Sequence, residues 1–275
     1  MSETTLSFAA GPYLAFIRSS LLGMLAYRLR YVTGIFTYLL YISIQYFIWQ
    51  AVFAQSAPGA LINGYTTQEM VTYVVIAWIS RSLCFSNLDW DVDELVRSGQ
   101  VSVYLLRPIS FQMLMLAQGF GEFLFRLVFF TLPIMAVVLP LFHVQTPASL
   151  HDGILFAWST LVAFLIFAQI NFLVGLVAFF TNSISSLIQA KHFLLQLLSG
   201  LLLPLSFFPA WAAELLQVLP FQLITFLPMQ VYLGKVPPEA VSGVLLQQFV
   251  WLIALQAMGA ALWKSAAGRL TVQGG

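Results

Sequence analysis

Asp89, Asp91, Asp93 and Glu94 place four of the ten acidic residues of this chain within six positions. Alternating carboxylates such as Asp89-x-Asp91-x-Asp93 can hold a divalent cation, the chemistry of an integral membrane enzyme acting on lipid-linked substrates. That enzyme would need a second acidic motif facing the first, and no other loop expected on the same side carries one. His143, His151 and Asp152 share a loop, but a metal site needs more ligands at tighter spacing. Cys84 is the single cysteine, which excludes an intrachain disulfide and reads as a small core residue. No metal or cofactor is therefore expected on the chain itself.

Glu122 and Arg126 stand at i, i+4, a spacing that allows an ion pair on one helix face. Charges at membrane depth are costly and face a bundle interior or water, so the pair either transmits motion or neutralises itself for packing. Two further stripes are polar or aromatic. Gln189, His192, Gln196 and Ser199, and likewise Tyr38, Tyr41, Gln45 and Trp49, each fall within an arc of about 80° on a helix. Both can line a pathway, and both can equally serve as interhelical glue in lipid. If both line it, the path is uncharged and aromatic, which suits an amphipathic or hydrophobic substrate such as a lipophilic cation. Gln169 and Asn171, two residues apart, point to nearly opposite faces and cannot form one site on a straight helix.

The elements that hold these residues are membrane helices. Of 275 residues, 60% are hydrophobic and 8% charged, against about 25% charged in a soluble domain. One soluble core could not bury so much apolar surface. Six segments reach the roughly 20 apolar residues of a bilayer crossing: 31–53, 66–87, 111–141, 153–180, 189–208 and 242–263. The expected fold is all-α and integral to the membrane, a single transmembrane domain over 1–275 with six spans. Residues 1–30 read as an N-terminal interface helix carrying Leu14, Ile17, Leu21 and Leu25 on one side and Arg18, Arg28 and Arg30 as its basic residues. They lack the layout of a signal peptide, so the mature chain is expected to begin near Met1. Prolines 204, 209, 220 and 228 break 205–230 into short re-entrant helices before the last span.

Charge orients the chain. With six spans and the N-terminus inside, Arg18, Arg28, Arg30, Arg97, Arg107, Lys264 and Arg269 are cytoplasmic, and Arg81 and Lys191 lie near the inner ends of their helices. Lys235 is the one basic residue left outside, so the distribution obeys the positive-inside rule with both termini cytoplasmic. A net charge of +1 gives no footprint for nucleic acid.

The acidic run then falls in the longest cytoplasmic loop, 88–110. Asn87 or Asp89 caps a short helix, acidic residues match its first turn, and Gly99 ends it before Arg107-Pro108 opens the next. This loop is either a structured element that docks a cytoplasmic protein or a solvated linker. Its phrase Glu94-Leu-Val-Arg97-Ser-Gly99-Gln-Val-Ser-Val-Tyr104-Leu-Leu-Arg107-Pro-Ile-Ser110 resembles the signature of a bacterial branch of the type-2 ABC exporter permeases. The C-terminal Gly268-Arg269-Leu270-Thr271-Val272-Gln273-Gly274-Gly275, the six-span plan, the interface helix and the broken outer helices are similar too.

The resemblance implies an ATPase-coupling helix at about Asp89–Gln100, with Asp89, Trp90, Asp91, Asp93, Glu94, Arg97, Gly99 and Arg107 in that role and Arg18, Arg28 and Arg30 as a second contact. The chain has no G-x-x-x-x-G-K-[ST] phosphate loop, so ATP and magnesium belong to a separate ATPase subunit. The implied assembly pairs two ATPase chains with two permeases, the second being another copy or a related chain, in the lipid of a bacterial inner membrane. A drug, a lipid or a glycan-like molecule would be moved outward. A secondary transporter or channel would instead show internal repeats and several buried charges.

Overall fold

In a computed structural model, which describes residues 3–26, 29–57, 59–105, 109–181 and 183–268, the chain is a helical bundle. The helices are α1 (Glu3–Ala26), α2 (Leu29–Ala54), α3 (Thr67–Cys84), α4 (Leu88–Arg97), α5 (Val101–Leu105), α6 (Phe111–Arg126), α7 (Leu132–Phe142), α8 (Leu150–Leu176), α9 (Ser185–Leu198), α10 (Ala210–Val218), α11 (Phe226–Tyr232) and α12 (Pro238–Ala267). Five helical stretches are long and apolar enough to cross a membrane: Thr33–Ala54, Thr67–Arg97 (which includes the corner between α3 and α4), Phe111–Phe142, Leu150–Phe179 and Pro238–Ala267. They contain five of the six expected spans.

The sixth expectation, 189–208, is realised differently. α9 has 14 residues, about 21 Å at 1.5 Å per residue, against a hydrocarbon core of about 30 Å. The helix stops at Ser199, and Gly200 adopts a left-handed φ of 87°. The freed carbonyls are taken up by neighbours: Tyr73 Oη donates to Gly200 O at 2.7 Å, and the Phe226 N–H donates to Ser199 O at 2.9 Å. Ser199, Gly200 and Leu201 are buried, so this non-helical backbone runs inside protein. Residues 205–230 contain only short helices and turns, with Trp211, Leu215 and Val218 exposed on α10.

α8 is the axis of the bundle, with α12, α4, α11 and α3 packed against it. α6 and α7 form one rod joined by a π-helical turn, Leu127–Thr131, in which the Leu132 N–H bonds to Leu127 O. Pro133 supplies the disturbance: it has no N–H to give and its ring would clash with the preceding turn, and the wider turn relieves both. Ser82 Oγ on α3 and Thr131 Oγ1 in that turn lie 3.0 Å apart, tying the irregular turn to its neighbour.

α1 lies along α6, and the close approach is made possible by Gly121, whose missing Cβ would collide with the Ile17 carbonyl and sit 2.8 Å from Ser20 Cβ. The packed side therefore carries Ile17 and Ser20, while Leu14 is exposed rather than aligned with Ile17. Arg18 is exposed; Arg28 and Arg107 lie outside the described residues, as does the side chain of Arg30.

Candidate functional site

Three residues separate the end of α3 from the start of α4, whose sequence is amphipathic. Leu88, Asp89, Val92 and Asp93 are buried, while Trp90, Glu94 and Arg97 are exposed. The buried side sits on two glycines: a Cβ on Gly175 of α8 would lie 2.8 Å from Val92 Cβ and 3.2 Å from Asp89 Cα, and one on Gly119 of α6 would lie 3.1 Å from Leu88 Cδ1. The helix is seated in a groove, which a solvated linker would not be. Asn87 stands at the N-cap without a side-chain cap bond, and Gly99 at φ 73° follows the C-cap Ser98. The next long helix opens at Ser110, whose hydroxyl caps Met113 N–H, with the short α5 between.

The three aspartates diverge. Asp89 is fully buried and pairs with Lys191 Nζ of α9, whose ammonium also reaches Asn171 Oδ1 on α8. Asp91 Oδ2 accepts from Gln118 Nε2 of α6 at 2.9 Å. Asp93 faces Arg97 one turn on at 3.7 Å, and that arginine is 60% exposed. Carboxylates that point to three different helices do not converge on a cation, and the described residues contain no group of three or more metal-ligating side chains. Asn171 completes the anchorage by donating from Nδ2 to Ser86 O at 2.8 Å, so the corner between α3 and α4 is fixed to α8. Gln169, two positions earlier, points the other way. It joins Gln112 of α6 at 2.9 Å and Gln256 of α12 in a buried amide cluster.

The Glu122–Arg126 pair is formed, with Arg126 Nε and Nη2 both donating to Glu122 Oε1 at 3.0 and 2.9 Å, and both side chains are buried. The Arg126 guanidinium also lies over Phe85, 4.7 Å from the ring centroid. Arg81 lies over the same ring at 4.8 Å, and His192 of α9 stacks on it at 5.8 Å. Three cations, Arg81, Arg126 and Lys191, thus surround Phe85 and Phe167 at the end of the bundle that carries α4.

The pathway-lining candidates divide. On α9, Gln189 is exposed, His192 and Gln196 are half-buried, and Ser199 is buried within 3.4 Å of Thr225 Oγ1. On α2, Tyr41 stacks on Trp78 at 5.0 Å and Tyr38 meets the same ring edge-on; Gln45 is half-buried and Trp49 buried against Phe207. The aromatic stripe of α2 therefore packs on α3. Sequence reasoning missed Lys191 and Arg81 as site residues. The signal was present: each is an ionisable residue inside an apolar helix, which by itself points to a partner or a function.

A long apolar bundle, an amphipathic helix seated at one end of it and an ion-paired anchorage beneath that helix are the features on which family membership can be judged. The ABC-2 family transporter protein model matches residues 39–274. The chain belongs to the ABC-2 transporter family. As a member it is a multi-pass membrane permease of an ABC transporter, the transport component rather than the catalytic one, and it works with an ATP-binding subunit. No curated protein matches the chain.

Proposed function

We propose that the chain is the permease half of an exporter in a bacterial inner membrane, and that α4 is the element through which a separate ATPase subunit drives it. Loop 88–110 then faces the cytoplasm, with both termini on that side. α9 together with 199–208 completes a sixth crossing, and 205–230 dips into the outer leaflet. Two permeases, identical or related, and two ATPase chains binding ATP and magnesium form the assembly, and an amphipathic or hydrophobic substrate moves outward. The surface offered to the ATPase is the exposed stripe Trp90, Glu94 and Arg97, beside a recess of about 490 Å³ between Val96, Arg97 and Ala178–Thr181.

The observation that carries this reading is the buried Asp89–Lys191–Asn171 junction. A docking helix transmits motion only if it is fastened to a span, and here one ammonium joins α4 to both α8 and α9. A push on the exposed face of α4 reaches α9 through a charged contact in an apolar setting, where little water competes for it. The ATPase should co-purify with the tagged permease in mild detergent and be lost when Asp93, Glu94 and Arg97 are changed to Ala. Asp89→Asn should leave the complex assembled and abolish transport-linked ATP hydrolysis. A permease that purifies with no nucleotide-binding partner would sink the proposal.

A further inference from the structure

Four nitrogens on α2, α3 and α9 are buried without a hydrogen-bond partner among the described residues: Trp49 Nε1, Trp78 Nε1, Arg81 Nη1 and His192 Nε2. Two of them, on Trp78 and Arg81, lie one helical turn apart on the same side of α3. Trp78 is 5% exposed and Arg81 8%. Buried N–H groups are nearly always satisfied, so the orphan donors of Trp78 and Arg81, side by side on α3, call for an acceptor; Trp49 lies apart, against Phe53 and Phe207.

Charge sharpens the point. Lys191 is matched by Asp89 and Arg126 by Glu122, whereas Arg81 forms no ion pair among the described residues. Its guanidinium lies over the faces of Phe85 and Phe167, at 4.8 and 5.0 Å, and shares the Phe85 ring with Arg126. What such a fork of donors fits is a planar or tetrahedral oxyanion, which it can bind through two parallel N–H bonds. A lipophilic cation, which an uncharged aromatic path would suit, meets a like charge here instead.

Access is also built in. The main packing partners of α9 are α4 at one end and the 220–223 turn at the other. His192 is half-buried and stacks on Phe85, the ring that also covers Arg81, so a headgroup reaches Arg81 from the His192 side of that ring.

We propose that Arg81, with Trp78 and His192 beside it, receives an oxyanion headgroup, phosphate or carboxylate, of the transported amphiphile. This rests on the exporter reading and on α2, α3 and α9 bounding the path. Arg81 makes the ionic contact, the Trp78 N–H gives a second bond one turn earlier on α3, and the exposed ring of Tyr41, stacked on Trp78, meets the apolar body.

The test uses the full permease in nanodiscs of zwitterionic lipid, alone for binding and with its ATPase for turnover. Dodecyl phosphate should bind the permease and stimulate ATP hydrolysis, dodecyltrimethylammonium should do neither, and inorganic phosphate should compete weakly, because the chain carries part of the affinity. Competition by inorganic phosphate as strong as that of the amphiphile would identify a free anion as the ligand and overturn the lipid-borne headgroup. Arg81→Gln should weaken dodecyl phosphate binding by about tenfold to a hundredfold, the loss of one charge-assisted hydrogen bond. Arg81→Lys keeps the charge without the fork and should fall between. Equal binding of the cationic amphiphile, or unchanged affinity in a folded Arg81→Gln, overturns the proposal. If Arg81→Gln does not fold, Arg81→Lys and Trp78→Phe decide by the same affinity ratio. An arginine that serves a carboxylate of a second permease copy would reveal itself as loss of the dimer in Arg81→Gln with ligand affinity unchanged. Binding to the permease alone separates the two questions. Failure to assemble with an ATPase removes the exporter reading, and the preference for anionic over cationic amphiphile is still read directly.

Discussion

The buried Asp89–Lys191 pair and the glutamine cluster put two polar devices in the same bundle, and their expected costs differ by several-fold. Removing one member of a buried ion pair leaves an unmatched charge and costs about 3–5 kcal/mol. Lys191→Met should therefore lower the thermal unfolding midpoint sharply in detergent. The double variant Asp89→Asn with Lys191→Met leaves no orphan charge and should recover most of that loss. Interhelical hydrogen bonds in bilayers average about 0.6 kcal/mol, so Gln169→Leu should shift the midpoint only slightly even though Gln169 is buried between Gln112 and Gln256. If the double variant unfolds as readily as the single one, Asp89 and Lys191 matter through something other than their charges. The coupling role makes the opposite demand on the double variant: stability returns, but ATP-driven transport does not, because the contact between α4 and α9 is gone.

At the level of elements, glycine decides which helices touch. Gly175 admits α4 onto α8, with Val92 Cβ and Asp89 Cα at 2.8 and 3.2 Å from where a Cβ would stand. Gly175→Leu must lift α4 out of its groove, because one of the atoms it meets is backbone. The expected result is loss of ATPase co-purification with the permease still folded, measured beside Gly243→Leu, which meets nothing within 4 Å and should behave as the parent. Retained co-purification in Gly175→Leu would mean that the ATPase does not read the seat of α4. This seat was only half legible in the sequence. The short helix at 88–97, the stop at Gly99 and the i, i+4 pair Glu122–Arg126 follow from local spacing and are present in the structure, whereas the buried face of α4 was not read from the sequence. The partner of Asp89 lies 102 residues away, and no local pattern connects the two. The same holds for Asn171 and Ser86. The packing of α2 aromatics on Trp78 likewise depends on which faces meet, which a helical stripe does not reveal. The π turn at Leu127–Thr131 is a milder case: Pro133 announces a disturbance, but whether it becomes a kink or a wider turn depends on the hydroxyls of Ser82 and Thr131 that receive it.

For the molecule as a whole, the number of crossings turns on one broken segment. α9 alone falls about 9 Å short of the hydrocarbon core, so a crossing there requires the chain to continue through 199–208 without a regular helix. Backbone of that kind survives at membrane depth only inside protein with its carbonyls satisfied, and Tyr73 and Phe226 provide for Gly200 and Ser199. The break also hands the far end of α9 to α3 and the 220–232 region, while the near end is tied to α4 by Lys191. A rigid straight span would not couple two ends so differently held. Cysteine accessibility decides the matter in a Cys84→Ser background, which removes a buried native thiol. Ser183→Cys, before α9, and Glu214→Cys, after the break, should react with a membrane-impermeant maleimide from opposite faces of the membrane, and Glu94→Cys from the same face as Ser183→Cys. Labelling of Ser183→Cys and Glu214→Cys from one face would make α9 a re-entrant element and leave five crossings. The termini would then lie on opposite sides, and the positive-inside count would have to be redrawn with Lys264 away from Arg18.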